Sequence, residues 1–216
     1  MKVRILGRTT AILLWTALLG ATTANAKSDA AHYEGADAGC LIYSVGTVKI
    51  GMNFTFPYGP IKSPGDKRRS PWAGEIKPKV GGAIRLQIKD PDFVGTETGH
   101  VVVRCLPPGD YAVGSFAFSG SLPGVGSYEW SPEKPFAFPF RIRSGEATYI
   151  GSFMRAPSAQ TPLQPILGMA GFFVVADRND RDLPIARTRL SPSMQITRQV
   201  TDVSSFNSAA LQTDEP

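Results

Sequence analysis

Apolar side chains take every second place from Phe136 onward: Phe136, Phe138, Phe140 and Ile142, with Ala137, Pro139 and Arg141 between them. An extended chain sends alternate side chains to opposite faces, so these four share one face. That face needs a second layer to hide it from water. Ile84, Leu86 and Ile88 repeat the pattern before Asp90-Pro91-Asp92 ends it. Residues 40–50, 99–105 and 111–118 read as further strands, and residues 51–56 continue the first of them or form another. A bulge is expected near Gly46, because Val45, Val48 and Ile50 keep no single period. Residues 169–176 are apolar on both faces, as a covered central strand requires.

Turn residues divide these runs. Pro108-Gly109 suits a type II turn, with proline at its second place and glycine at its third. Ser144-Gly145 lies between two strand-like runs and predicts a hairpin. Pro139 has no N–H to donate, which puts its strand at an edge or at a bulge. Long loops rich in glycine and proline cover residues 57–82 and 119–135. Residues 182–190 read as one short helix, capped by Asp182, with Pro184 in its first turn and Arg187 and Arg189 near its end. The predicted fold is all-β: an antiparallel β-sandwich of about seven to nine strands with one short C-terminal helix.

The N-terminal segment changes the charge picture. Lys2, Arg4 and Arg8 precede an apolar run, residues 11–21, and a small-x-small site at Ala24-Asn25-Ala26. This is the pattern of a secretory signal peptide. The run is shorter than the roughly 20 residues a bilayer span needs, and no later stretch is apolar enough to form one. The expected organisation is a signal peptide over 1–26, a flexible lead-in over 27–39, the sandwich over 40–198 and a disordered tail over 199–216. The whole chain has net charge +5, from 23 basic and 18 acidic residues. Three of the basic ones lie in the signal, so the remainder is nearly balanced, and bulk charge does not support a nucleic-acid partner. The expected destination is outside the cytoplasm: periplasm, outer-membrane surface or medium.

Outside the cytoplasm disulfides persist, so Cys40 and Cys105 are expected to pair. Ala38-Gly39-Cys40 raises a rival, lipid attachment at Cys40. Against it, the cysteine lies well beyond the apolar run, and Asp37 stands where an aliphatic residue is wanted.

Little catalytic chemistry is visible. His32 lies in the lead-in, and His100 has no Gly-x-Ser-x-Gly elbow to serve. Residues 177–182 resemble a calcium loop, but Arg181 and Asp182 stand where that template needs an oxygen ligand and glycine. No cofactor or metal site is expected. Two binding features remain. One is a basic loop carrying Lys62, Lys67, Arg68, Arg69, Lys77 and Lys79 around Trp72, suited to an anionic ligand. The other is an aromatic platform, Tyr128 and Trp130, suited to a sugar or a protein, with Phe136 and Phe138 expected in the core.

Three motifs occur in a fixed order: Leu106-Pro107-Pro108-Gly109-Asp110-Tyr111, then Ser144-Gly145-Glu146-Ala147-Thr148-Tyr149-Ile150-Gly151, then an apolar strand ending at Asp177. Over residues 40–190 the chain resembles uncharacterised bacterial envelope and lipoprotein domains with a transthyretin-like, or carboxypeptidase-regulatory-like, sandwich. It departs from them in the long basic loop and in lacking a lipid-attachment cysteine at the signal boundary. The resemblance implies a fold and a compartment, and no catalytic residue carries over. The expected function is that of a non-enzymatic envelope protein binding an envelope protein, lipid or polysaccharide through its loops. The alternatives are a carbohydrate-binding or adhesion module and, last, a hydrolase using His100.

Overall fold

A computed structural model describes residues 32–48, 53–63, 65, 70–81, 87–122, 126–131, 136–157, 171–200, 202–203 and 211–213. The signal peptide and the pair Ile84 and Leu86 lie outside these residues. In chain order the strands begin with β1 (Gly39–Thr47), β2 (Asn53–Pro60), β3 (Gly74–Ile76), β4 (Val80–Gly81) and β5 (Gln87–Ile88). There follow β6 (Thr98–Leu106), β7 (Gly109–Gly114), β8 (Ala117–Leu122), β9 (Gly126–Trp130) and β10 (Ala137–Ile142). The last are β11 (Glu146–Pro157), β12 (Gly171–Ala176), the helix α1 (Asn179–Arg187), β13 (Gln195–Arg198) and β14 (Leu211–Thr213).

Two sheets face each other. The first runs β14-β12-β11-β1-β6, with β13 also on β11; the second runs β10-β7-β2-β8-β9, with β3 also on β2. The all-β class and the two-layer arrangement agree with the alternation in the sequence. Most pairings are antiparallel, but β1–β11, β11–β13 and β12–β14 are parallel. The strand segments outnumber the expected seven to nine because several are two- to four-residue pieces, and because β7 and β8 are one run. Along β2, Tyr58 lies opposite Val113 and Thr55 opposite Ala117, so one extra residue sits in the β7–β8 run.

The core between the sheets is aromatic. Phe54, Phe56 and Tyr58 of β2 and Phe138 and Phe140 of β10 meet Phe153 of β11 and Phe173 of β12, all buried. Phe56 is the hub, with ring centres 5.4 Å from Phe116, 5.3 Å from Phe153 and 4.6 Å from Phe173. Edge-on and tilted packing of this kind suits the ring quadrupoles. Phe136 is half-buried against the same core.

A third layer covers the other face of the first sheet. Cys40, Ile42, Val101, Ala147 and Tyr149 point outward there and are sealed by Ala186, Leu183, Ile185, Leu190 and Ile196. Every residue of β1 is therefore buried. Cys40 and Cys105 stand opposite each other on β1 and β6 and are joined by a disulfide, as expected.

Several details differ from the sequence reading. The bulge expected near Gly46 lies on the neighbouring strand. Ile42 pairs with Tyr149 and Ser44 with Ser152, so β11 holds one extra residue, at Ile150-Gly151. Gly151 has φ 112°, which glycine alone adopts readily. The expected hairpin around Gly145 is a corner: β10 pairs with β7 in the second sheet, while β11 crosses to the first. The Pro108-Gly109 turn likewise passes between sheets, and Gly109 has φ 158°, far from the roughly 80° of a type II turn. Tyr111 reaches back from that corner, donating to the Pro107 carbonyl at 2.9 Å. The helix begins at Asn179, so Asp182 is inside it; the N-cap residue, Arg178, makes no side-chain cap, and the Asp177 carboxylate accepts from the Asn179 N–H at 3.1 Å instead.

Both ends of the sandwich are also more engaged than composition suggested. In the lead-in, the Tyr33 N–H donates to the Cys105 carbonyl at 3.0 Å. Past residue 198, read as the start of a disordered tail, Val203 is buried in the core and β14 pairs with β12. A polar, small-residue stretch gives no period by which such docking could be read.

Candidate functional site

The outer face of the first sheet carries a buried polar cluster, and the bulge at Gly151 builds it. The extra residue shifts the parity of β11, so that Ser152 joins Tyr149 on the outer face while Phe153 enters the core. Ser44, opposite Ser152, completes the floor. Above them lies Asp182, with no exposed surface. Its carboxylate accepts from Ser44 Oγ at 2.6 Å, Tyr149 OH at 2.8 Å and Arg181 Nε at 2.7 Å. Arg181 also donates to Ser44 at 3.0 Å and Ser152 at 3.1 Å, and bonds Glu97. Its guanidinium stacks 3.7 Å from the Phe93 ring centre. Arg178 reaches Glu97 at 3.2 Å. Two carboxylates thus meet two guanidinia, so the desolvation of each is offset by its partners. Burial, then the neighbouring Asp182 carboxylate, pushes the Tyr149 phenol far above its ordinary value. Ser44, Ser152 and Asp182 are all sealed, and the cluster reaches the surface through Arg178, Arg181 and Glu97, which with Phe93 line a shallow pocket of about 430 Å³. The arrangement clamps α1 and the Phe93–Glu97 turn onto the sheet.

A second polar group sits beside it. Asp92 accepts from the Val101 N–H at 2.8 Å and is gripped by Arg189, which also bonds the Val101 carbonyl. Although burial opposes it, these partners hold the Asp92 carboxyl below its ordinary range. His100, the hydrolase candidate, is buried with Nδ1 3.9 Å from Asp92. Burial lowers its pKa against the pull of Asp92. Asp92 is thus held by Arg189, and the imidazole beside it is covered.

A larger opening is a cleft of about 580 Å³ where the edges of the two sheets meet. Arg141 and Pro139 come from β10, and Arg143 from the corner after it. Thr197 and Arg198 come from β13, Gln199 just beyond it, and Ile61 and Asp110 close the side. Alternation on β10 explains the placement: Phe138, Phe140 and Ile142 point inward, so Pro139 and Arg141 point out. The three arginines face one lining carboxylate, Asp110. Arg141 grips Asp110 through two bonds, 2.6 and 3.2 Å, and so holds that carboxyl below its ordinary range. Arg143 and Arg198 are held more loosely, 3.6 Å from Glu146 and 3.4 Å from Asp177. Such exposed pairs contribute about 0–1 kcal/mol, so an incoming anion can replace either partner.

Of the described residues expected to bind from the sequence, none lines this cleft. Of the basic loop, Lys67, Arg68 and Arg69 lie outside the described residues, and Lys62 is exposed. Lys77 pairs with Glu75 at 2.8 Å, and Lys79 is exposed. Trp72 is half-buried against the core, with the Tyr33 ring edge-on at 5.3 Å. Tyr128 and Trp130 lie on β9, opposite Gly120 and Phe118; their side chains are outside the description. Sequence reading missed Arg141, Arg143, Arg198 and Gln199, which lie far apart in the chain. It also missed the Asp182 cluster, whose only trace was a serine, Ser44, inside an apolar strand.

Fold and sites together define an all-β two-sheet sandwich, backed by α1 and bearing a basic cleft on an open edge. No family model, curated protein or solved structure matches the chain. Among the described residues no helix is long and apolar enough to cross a membrane. Among the same residues, no group of three or more histidine, cysteine or acidic side chains is placed to hold a metal ion.

Proposed function

We propose that this is an exported, non-enzymatic protein of the cell envelope that binds another envelope component. The observation that carries the reading is the arginine-lined cleft: it is open, basic and formed by exposed side chains on and beside β10 and β13, whereas Ser44, Ser152, Asp182 and His100 are buried. Export is supported by the leader over residues 1–26 and by the Cys40–Cys105 disulfide. The resemblance to envelope domains with a transthyretin-like sandwich supports the same compartment.

Mass spectrometry of the protein from fractionated cells tests this reading. The expected species begins at Lys27, is oxidised at both cysteines, carries no lipid on Cys40, and lies outside the cytoplasm. A cytoplasmic chain that retains residues 1–26 and has two free thiols would refute it.

A further inference from the structure

The cleft has a feature that basic charge alone does not explain. β10 ends the second sheet, so one row of its backbone groups faces away from β7. Gln199 occupies that row. Its side-chain Oε1 accepts from the Arg141 N–H at 3.1 Å, and its Nε2 makes a longer, 3.5 Å contact to the Pro139 carbonyl. A side-chain amide has the same donor and acceptor as a peptide group. Gln199 therefore sits where the backbone of an added strand would sit. Its own backbone belongs to the other sheet, donating to the Tyr149 carbonyl at 2.8 Å. The side chain can swing away while the main chain stays in place.

We propose that the cleft binds an extended, acidic peptide segment of a partner protein, which displaces the Gln199 amide and adds to the edge of β10. The inference rests on the envelope-binding reading above and names the chemistry of the component. Two observations select this occupant. The Arg141 N–H and Pro139 C=O offer the backbone pairing by which strands are added to sheet edges. Arg143 and Arg198 flank that edge and offer guanidinia to carboxylates on the incoming side chains. Pairing is bounded on one side, because Thr148 Oγ1 already donates to the Arg141 carbonyl at 3.0 Å. Pro139 supplies no N–H, so the contact is short, and the charges must contribute much of the affinity.

The test is a titration of the mature, oxidised protein with a fluorescent peptide alternating valine and glutamate. A glutamine-for-glutamate version, a version N-methylated on alternate amides and an acidic oligosaccharide serve as parallel probes. Binding should be measurable for the acidic peptide and lost for both altered peptides. Replacing Arg143→Gln and Arg198→Gln together should weaken it by about tenfold. Gln199→Ala, which keeps the backbone bond to Tyr149, should tighten it by removing the competing amide. Equal binding of the N-methylated peptide would overturn strand addition. Binding of the oligosaccharide alone would overturn the peptide while leaving the envelope-binding reading in place. If no probe binds protein whose N-terminus and disulfide match the exported form, the proposal for this cleft fails independently of export.

Discussion

At the scale of single residues, Asp182 is the most consequential side chain on the outer face of the first sheet. It holds three donors in a place without solvent. Asp182→Ala would leave the Ser44 and Tyr149 hydroxyls without their acceptor and Arg181 with Glu97 as its remaining carboxylate, and leaving buried polar groups unsatisfied costs about 1–3 kcal/mol each. Denaturant titration should show that loss as a lower midpoint with little change in slope. From sequence, Asp182 reads as a cap, because an aspartate before Leu183 and Pro184 fits that pattern. Its true role depends on Ser44, Ser152 and Tyr149, which only the folded sheet brings near. Tyr111 gives a second residue-scale prediction. Burial, with Tyr58 nearby, pushes its phenol up to about 12. The fold thus favours the neutral form, a contribution complete below the unfolded value of about 10 and lost as pH rises through about 12. Stability measured across that window should fall with rising pH. In Tyr111→Phe the fall should be shallower.

At the scale of elements, what the sequence revealed depended on whether a signal was local. The alternation on β10 was legible because each residue carries its own evidence of face, and Pro139 narrowed its strand to an edge or a bulge, of which the structure shows the edge. Pairing partners were less legible. Ser144-Gly145 marks a reversal equally well whether the chain returns beside itself or crosses to the opposite sheet, and here it crosses. The bulge was expected on β1 but is on β11, because two adjacent strands share one mismatch and either can absorb it. Gly151 decides the matter, being free to take φ 112°. A Cβ added there would lie 3.3 Å from the Ala176 carbonyl oxygen in a backbone conformation that L-residues avoid. Gly151→Ala should therefore cost about 1–3 kcal/mol. It should also disturb Ser152 and Phe153 together, seen as loss of near-ultraviolet aromatic signal along with a lower melting temperature.

At the scale of the whole molecule, three layers position everything else. The second sheet covers the inner face of β1 and β11, and α1 with its flanking residues covers the outer face. The cleft lies where the edges β10 and β13 approach, so its side chains rest on the two sheets. Composition and alternation were enough to predict a sandwich, and the run over residues 169–176, apolar on both faces, marked one strand of the first sheet as covered, but nothing marked α1 as the layer that covers β1 and β11. The cleft was hidden for the same reason, since it combines residues from β10 with others some 60 positions later. Native-state hydrogen exchange tests this architecture most directly. The slowest amides should be those of β1 and of β11 from Ala147 to Phe153, exchanging only through global unfolding. Amides of β1 that exchange as fast as those of β3 or β13 would contradict a sheet enclosed on both faces.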